Sequence, residues 1–262
     1  MSASYIPRTW RERLGTNLNK FLKTSETTGS VILENSPDAI TQAGTPFTVA
    51  AMQNIENGIE NNYWFEETAL NQTARGWRRL AAAPNGDVYA CVANVDIYKQ
   101  SGGTGDFVAL GQTARDWRGL AAAPNGDIYA CVYDGDIYKQ TGGTGDFVAL
   151  GQTARKWFGM TAAPNGDVYA CVYSGDIYKQ SGGTGDFVAL GQTLRGWAGM
   201  TAAPNGDVYA CAETGDIYKQ SGGTGDFVAL GQTSRYWHGM AAAPNGDVYA
   251  GVRYGPQLGF LS

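Results

Sequence analysis

The feature that most constrains this chain is a unit of about forty residues that recurs five times in almost the same wording. One copy, beginning at Gln112, reads "QTARDWRGLAAAPNGDIYACVYDGDIYKQTGGTGDFVALG". Self-similarity at a period of this length is typical of repeat architectures, in which each copy packs against its neighbours. The sequence therefore predicts one structural unit used repeatedly.

Each copy contains four strand-like segments separated by turn sequences. In the second copy we name them strand A ("WRGLAAA"), strand B ("DIYACVY"), strand C ("DIYKQ") and strand D ("DFVALGQT"). The Pro124-Asn125-Gly126 and Asp134-Gly135 stretches suit tight turns, because Asn and Gly tolerate positive φ angles. Four short strands in about forty residues are the pattern of a β-propeller blade.

The number of copies predicts the architecture. The last copy supplies strands A and B, with strand C as a further candidate, and the segment Glu66–Arg75 ("EETALNQTAR") aligns with Asp106–Arg115 ("DFVALGQTAR"). We therefore expect an all-β, five-bladed β-propeller of four-stranded blades over residues 63–262, its last blade closed by an N-terminal strand. The alternative is an open stack of five sheets, and closure is favoured because the two end fragments sum to one unit.

These repeats resemble a known kind of lectin. Five short blades with a split last blade resemble the tachylectin type of five-bladed lectin, and the repeated Trp and Gly are similar to tectonin repeats. The resemblance covers residues 63–262 and is one of architecture, since no sugar-contact motif matches residue by residue. It implies glycan binding.

The differences between the copies cluster in two short segments, the D-to-A connection and the B-to-C turn. By contrast, "APNGD" is identical in all five copies, and "GGTGDFVALGQT" in the four complete ones. In an up-and-down blade both variable segments lie at one end of the sheet and both unvarying turns at the other. This pattern predicts a diversified binding face on a constant scaffold. The alternative is neutral drift, which should also have altered the exposed "SGGTG" loops, where only Thr141 replaces Ser.

The variable positions carry aromatic, arginine and hydrogen-bonding side chains, which suit sugars or protein surfaces. We expect the ligand-binding face to comprise Arg78, Asp116, Arg118, Tyr133, Asp134, Lys156, Phe158, Tyr173, Glu213, Tyr236, His238, Arg253 and Tyr254.

The tryptophan that opens each strand A has two interpretations. It is either a sugar platform repeated in every copy or, more commonly for a Trp at the start of a strand, a core residue. The five are Trp77, Trp117, Trp157, Trp197 and Trp237. The arginine two positions earlier, Arg75 in the first copy, is expected to pair with the turn aspartates or to contact a ligand.

Residues 1–62 do not repeat and predict a small, mainly helical module. "TWRERLGTNLNKFLK" and "GTPFTVAAMQNIENGIENN" predict two helices, the second with Thr45 as its cap, and "GSVILENSPDAI" predicts a short strand or a loop. The narrow apolar stripe of Met52, Ile55 and Ile59 is expected to pack on the propeller, on the first helix or on another copy of the chain, so a homo-oligomer is expected.

Part of this module resembles a phage protein segment. "DAITQAGTPFTVAAMQNIENGIE" is similar to a stretch common in tail, baseplate and tail-fibre proteins of bacteriophages. The resemblance implies an attachment module that joins a distal domain to other tail proteins. We therefore expect a receptor-binding protein of a phage virion that recognises a host-surface glycan or protein receptor. The alternative is a structural tail or baseplate component.

Other function classes are disfavoured. A net charge of −5 with dispersed Lys and Arg argues against nucleic acid. The chain has no apolar run of membrane-helix length, and residues 1–24 lack a signal-peptide layout, so we expect synthesis in the bacterial cytoplasm without membrane insertion.

Catalysis is also disfavoured. The chain has one histidine, His238, no zinc-protease, nucleophile-elbow or phosphate-loop motif, and acids that mostly repeat identically rather than forming an asymmetric pair. We expect no enzyme and no cofactor, with a glycosidase as a remote alternative. Cys91, Cys131, Cys171 and Cys211 are interpreted as small buried apolar side chains, with a metal site as the remote alternative.

Overall fold

The computed structural model describes residues 20–27, 30–36, 70, 72–253 and 258–261. The chain divides into two compact units, Met1–Thr68 and Ala69–Ser262. The division falls a few residues after the boundary that the repeats predict. Among the described residues, no helix is long and apolar enough to cross a membrane.

In the first unit, strand β1 (Lys20–Thr27) pairs antiparallel with β2 (Ser30–Ser36). The predicted first helix is therefore wrong at its end, since Lys20–Lys23 belong to β1. These residues pair with a partner strand that carries the β-branched Val31 and Ile32, which favour a sheet over a helix. The strand predicted within "GSVILENSPDAI" is present as β2, whereas the rest of the first predicted helix and the whole second one lie outside the described residues.

In the second unit, each of the first four copies of the repeat pairs its strands antiparallel in the order A-B-C-D. The first copy contains β3 (Trp77–Ala82), β4 (Val88–Val92), β5 (Ile97–Gln100) and β6 (Val108–Ala109). The second contains β7 (Trp117–Ala122), β8 (Ile128–Gly135), β9 (Ile137–Gln140) and β10 (Val148–Ala149). The third contains β11 (Arg155–Ala162), β12 (Val168–Gly175), β13 (Ile177–Gln180) and β14 (Val188–Ala189). The fourth contains β15 (Arg195–Ala202), β16 (Val208–Ala212), β17 (Ile217–Gln220) and β18 (Val228–Ala229).

The fifth copy contains β19 (Trp237–Ala242), β20 (Val248–Val252) and β21 (Leu258–Leu261), so the candidate strand C is present. The only helical turns in the described residues are short 3-10 turns of the strand C to strand D connection, such as Ser101–Gly103. The all-β prediction is confirmed.

Two aspartates in each of the first four copies tie its turns together. Asp87 accepts hydrogen bonds from the backbone N–H of Gly102 and pairs with Lys99 at 2.6 Å, which joins the A-to-B turn to the C-to-D turn. Asp96 accepts from the backbone N–H groups of Gly111 and Gln112, which joins the B-to-C turn to the D-to-A connection. The hydrogen bond with Lys99 and the one from Gly102 lower the pKa of Asp87.

Successive copies are also joined to one another. The hydroxyl of Tyr89 donates to the carbonyl of Gly143 in the next copy at 3.0 Å, and Tyr129 and Tyr169 make the same bond to Gly183 and Gly223. Each is fully buried. A buried tyrosine hydroxyl needs a partner, so the glycine-rich turn of each copy completes the core of the copy before it.

Strand A of one copy approaches strand A of the next through a glycine. A Cβ atom on Gly159 would lie 3.2 Å from the carbonyl oxygen of Ala198, and one on Gly199 would lie 2.7 Å from that of His238. The fifth and first copies lack this close approach within the described residues. Nothing lies within 4 Å of a Cβ built on Gly239, and Leu80 is 65% exposed where the equivalent Leu120 is 5% exposed.

The segment that precedes the first copy makes the contacts of a D-to-A connection. The backbone N–H of Phe107 donates to the side-chain oxygen of Gln72 at 3.0 Å, as that of Phe147 donates to Gln112 in the next copy. From Gln72 onward, this segment therefore follows its predicted equivalent. The strand predicted to begin at Glu66 lies outside the described residues, apart from Leu70.

The close approach of the A strands predicts that alanine substitution destabilises the protein at one glycine and much less at its equivalent. We expect Gly199→Ala to lower the free energy of unfolding by about 1–3 kcal/mol, since its Cβ would collide with a backbone carbonyl. Gly239→Ala, with open space around its Cβ, should change it by less than about 1 kcal/mol. Urea unfolding followed by fluorescence measures both. Equal losses would contradict the difference in packing between the two sites.

Candidate functional site

The two variable segments lie side by side in the second unit. The backbone N–H of Tyr133, in the B-to-C turn, donates to the carbonyl of Asp116 before the tryptophan at 2.9 Å. Glu213 bonds to Gly196 and Arg253 to Tyr236 in the same way, each at 2.8 Å. The positions at which the copies disagree therefore form one surface at one end of the sheets.

A β-bulge displaces one of the variable positions from the sheet. In the second copy Trp117 pairs with Val132 and Gly119 with Cys131, so Arg118 has no partner on strand B. All five copies have this bulge, and its unpaired residues are Arg78, Arg118, Phe158, Ala198 and His238. A bulge changes the direction of a side chain, which separates these side chains from the ladder of strand A.

Phe158 is the hub of a cluster on this surface. Its ring centroid lies 5.6 Å from that of Tyr173, 6.4 Å from that of Tyr133 and 5.7 Å from that of His238. The guanidinium carbons of Arg79 and Arg118 lie 5.8 and 5.7 Å from it. Phe158 is only 9% exposed, so it orients its neighbours and offers a ligand little surface of its own.

Ion pairs hold the flanks of the cluster. Arg118 forms a bidentate pair with Asp116, with both N···O distances 2.8 Å. Arg253 Nη1 lies 3.4 Å from Glu213 Oε1, and a hydrogen bond with Glu213 raises the pKa of Tyr173. Side chains from different copies of the repeat thus contact one another and form one asymmetric cluster, not separate equivalent sites.

Arg79 is a central residue that the sequence interpretation missed. It occupies the strand A position where the other four copies have glycine. Its Nη2 donates to the carbonyls of Ala198 and His238, both at 2.9 Å, and its Nη1 lies 3.3 Å from His238 Nδ1. A comparison of the copies at this position was the signal available, since one arginine replaces four glycines.

The Arg79 contact determines the chemistry of His238. An arginine can only donate, so Nδ1 of His238 accepts and its proton lies on Nε2. Burial, followed by the charges of Arg79 and Arg253, lowers the pKa of His238 to about 4. The imidazole is therefore neutral at pH 7, with one N–H left to donate to a ligand.

Most of the predicted face joins this cluster. Lys156 Nζ lies 6.0 Å from the Tyr133 ring, and Arg78 is exposed and contributes to the lowered pKa of His238. Tyr236 is 47% exposed, and its carbonyl accepts a hydrogen bond from the backbone N–H of Arg253. Asp134 is an exposed turn residue with φ of 55°, and none of the described contacts joins its side chain to Phe158. Tyr254 lies outside the described residues.

The tryptophans that open the A strands are core residues. Trp117, Trp157 and Trp197 are 1% exposed and Trp237 is 3% exposed, and Trp117 packs edge-on against Tyr138 at 5.1 Å. Trp77 is partly buried and makes the same contact with Tyr98. A sugar platform requires an exposed aromatic face, so that interpretation does not fit the four buried rings.

The arginines that precede these tryptophans stack on tyrosines. The guanidinium carbon of Arg75 lies 4.9 Å from the centroid of Tyr98, and that of Arg115 lies 4.8 Å from that of Tyr138. The turn aspartates that were their predicted partners bind backbone N–H groups instead, as Asp96 does. Cation–π contact accounts for the repetition of these arginines.

The constancy of the "SGGTG" loops has a structural cause. Gly142 donates its backbone N–H to Asp127, and the carbonyl of Gly143 accepts from Tyr89. Gly142 and Gly143 also have φ of 58° and 65°, which disfavours other residues. These loops could not drift freely, so their constancy does not by itself argue against drift at the variable face. The inference of a binding face therefore rests on the convergence of the variable side chains around Phe158.

The four cysteines are buried free thiols, in agreement with their predicted role as small apolar groups. Burial raises the pKa of Cys91 to about 11 and that of Cys171 to about 12. Within the described residues, no group of three or more His, Cys, Asp or Glu side chains could hold a metal ion.

The opposite end of the sheets forms a cavity of about 480 Å³. Alanines and prolines from all five copies line it: Ala82, Ala83, Pro84, Ala122, Pro124, Ala162, Pro164, Ala202, Pro204, Ala242, Ala243 and Pro244. This end lacks titratable lining side chains in the part of the chain described, so the cluster around Phe158 is the better candidate site.

No family model matches the chain, and no curated protein matches it. Solved structures resemble it. A catalytically inactive virginiamycin B lyase from Staphylococcus aureus with quinupristin has a TM-score of 0.55 and 14% identity, over 69% of this chain and 64% of that one. A gluconolactonase from Xanthomonas campestris has a TM-score of 0.57 and 11% identity, over 69% and 71%. YCF48 from Cyanidioschyzon merolae has a TM-score of 0.52 and 11% identity, over 72% and 67%.

These neighbours are β-propeller proteins, and the chain has the β-propeller fold. The chain spans just under two thirds of the length of the lyase. At such low identities the likeness concerns the fold alone, because one fold hosts many unrelated functions.

The lowered pKa of His238 predicts a pH dependence of stability. Between pH 6.5 and about 4 the unfolded chain binds a proton that the folded chain does not, so stability falls as the pH falls through this window. We expect a loss of about 1–2 kcal/mol from this group between pH 7.5 and 4.5, allowing for solvent screening. Urea unfolding at both pH values, with His238→Gln as the control, measures it. An equal loss in the variant would contradict the assignment to His238.

Proposed function

We propose that the second unit is a five-bladed β-propeller with its binding face at the variable end of a central channel. Two observations support five blades. Residues from all five copies line a single cavity at the opposite end, and Gln72 accepts the hydrogen bond that is typical of a D-to-A connection before the first copy. The seam between the last and first copies is bridged by Arg79, whose hydrogen bonds reach Ala198 and His238.

We further propose that the protein is a phage tail-associated receptor-binding protein that recognises a host-surface glycan through this face. The observation that carries this proposal is the convergence of variable side chains from several copies on the Phe158 hub. Tyrosine rings beside arginine, lysine and a neutral imidazole combine stacking with directed hydrogen bonds, as sugar recognition requires. The phage assignment rests on the resemblance of residues 38–60.

Binding without chemical conversion suits this cluster best. Its acids Asp116 and Glu213 each contact an arginine, and Nδ1 of His238 lies within hydrogen-bond distance of Arg79. A glycosidase needs two carboxyl groups with separate roles on either side of the bond that is cleaved. The lyase and the gluconolactonase share only the fold with this chain, and a shared fold does not transfer their activities.

The second candidate is a structural tail component whose propeller binds another protein. Leu194, at a variable position, is 70% exposed, and Tyr236 is 47% exposed, so the same end of the sheets also offers apolar contact area. A protein partner within the particle would cover both side chains. Binding of the purified chain to host cells separates the two candidates.

Two tyrosines of similar exposure in the fifth copy provide a matched test. Tyr236 is 47% exposed on the variable face, and Tyr249 is 39% exposed on β20. We expect Tyr236→Ala to weaken binding of the full chain to intact bacteria about tenfold, since an interface tyrosine is commonly worth more than about 1 kcal/mol. Tyr249→Ala should bind as the parent does. Binding is measured by flow cytometry of labelled protein on a panel of candidate hosts.

Either of two results would count against the receptor proposal. Equal loss in both variants would mean that the variable end is not the contact surface. If a folded parent bound none of the hosts but bound purified tail proteins, the structural candidate would replace it.

A further inference from the structure

The variable face carries an excess of positive charge in an acidic chain. Its cationic side chains, together with the adjoining Arg79, are Arg78, Arg79, Arg118, Lys156 and Arg253. Among the variable positions only three acids accompany them, Asp116, Asp134 and Glu213, although the whole chain has a net charge of −5. The constant turn aspartates at the same end, such as Asp96, accept backbone N–H groups. Like charges concentrated on one surface raise the local concentration of ligands of the opposite sign.

The acids do not balance these cations evenly. Asp116 is engaged by Arg118 at 2.8 Å and Glu213 lies 3.4 Å from Arg253. In the described part of the chain no carboxylate lies within ion-pair distance of Arg78, Arg79 or Lys156. Arg78 and Lys156 are exposed, whereas Arg79 is partly buried. The unbalanced positive charge therefore lies on the first copy, at Arg78 and Arg79, and on the third copy, at Lys156.

Arg79 is held in place and acts as a fixed charge. Its two Nη groups direct four N–H bonds at the carbonyls of Arg78, Ala198 and His238 and at His238 Nδ1. A guanidinium withdrawn from water without a counter-ion is electrostatically costly, and an anion nearby offsets that cost. Because its Nη hydrogens are used, Arg79 contributes charge and positions His238, while direct donors to a ligand must come from other residues.

Direct donors are available on the same face. With its proton on Nε2, His238 presents one N–H, and the exposed Arg78 lies close enough to act on the pKa of His238. The exposed Lys156 presents a further cationic group beside Tyr133. Burial and then the charges of Arg79, Arg253 and Arg78 lower the pKa of His238, and the charge of Glu213 opposes them. A bound anion would also oppose the charges of these arginines and raise the pKa of His238.

We propose that this face binds an acidic saccharide, a sugar bearing a carboxylate or a phosphate group, with its anionic group at His238 and Arg78 beside the fixed charge of Arg79 and with Lys156, beside Tyr133, as a further cation on the same face. The inference rests on the proposed glycan-binding function and specifies its ligand class. The half-buried Tyr133 and Tyr173, within the same cluster, and the exposed Tyr236 supply the aromatic surface for the sugar ring.

The single histidine of the chain provides the readout. The pKa of His238 is measured by NMR on the full chain, alone and with glucuronate, glucose 6-phosphate, glucose or inorganic phosphate. We expect glucuronate or glucose 6-phosphate to raise it by about half a pH unit or more, and glucose to leave it unchanged. The two acidic probes distinguish a carboxylate from a phosphate source.

Charge-removing variants locate the effect. Arg78→Gln with Lys156→Gln should abolish the response to the acidic sugars, whereas the control pair Arg75→Gln with Arg115→Gln, which removes the same charge from stacked linker arginines, should retain it. Arg79→Gly restores the residue of the other copies and tests positioning. We expect it to raise the pKa of His238 without ligand and to mix its two tautomers in the ¹⁵N spectrum.

Three results would overturn the inference. They are a pKa that none of the acidic sugars changes, an equal response to glucose, or a response to inorganic phosphate as large as to the sugars, which would indicate an ion site without sugar recognition.

Cell binding separates this failure from failure of the proposed function. If host binding persists in the Arg78→Gln, Lys156→Gln variant and does not weaken with salt, the receptor proposal stands and the acidic ligand falls. If the acidic sugars bind but no host does, the acidic ligand stands and the receptor proposal falls.

Discussion

The arrangement of the second unit depends on the close approach of successive A strands from the second copy to the fifth. A glycine in one copy faces the carbonyl of the bulge residue in the following copy, as Gly199 faces His238 at a distance that leaves no room for a Cβ. This contact brings the bulges together, so their side chains meet at one end of the sheets. In the first copy the same position holds Arg79, which replaces backbone contact with hydrogen bonds to Ala198 and His238. Arg79, the one residue that replaces the glycine of the other copies, is therefore also the charged side chain at the centre of the candidate site.

Structural and variable positions are separated by their hydrogen bonds. The turn aspartates of the first four copies accept from backbone N–H groups and hold the ends of their sheets, as Asp87 and Asp96 do in the first copy. These bonds do not use the B-to-C turn side chains or the bulge side chains, of which Phe158 and Ala198 are buried. Substitution at the exposed variable positions changes the surface and leaves the bonds of the turns in place, which is how a repeat of nearly identical copies can present one asymmetric cluster.

The sequence predicted much of this arrangement and missed particular parts for identifiable reasons. Strand pattern, turn chemistry and copy number predicted the sheets, and disagreement between copies predicted the variable face. The predicted helix ending at Lys23 is wrong over Lys20–Lys23, because pairing with β2 overrides the apolar spacing. Phe158 was expected to contact ligand, but its neighbours cover it, and the burial of a side chain depends on other copies. Arg79 was missed because its position was not compared.

By itself, the sequence determined the repeat, the all-β class, the positions of the turns and the positions free to vary, because these follow from local periodicity and backbone preference. Only the tertiary structure decided which variable side chains meet. The pairing of Arg118 with Asp116 is local, but the contacts of Phe158 with His238 and of Arg79 with Ala198 join residues far apart in the chain. Burial, the tautomer of His238 and the excess positive charge depend on those long-range distances. A pattern read along the chain does not contain them.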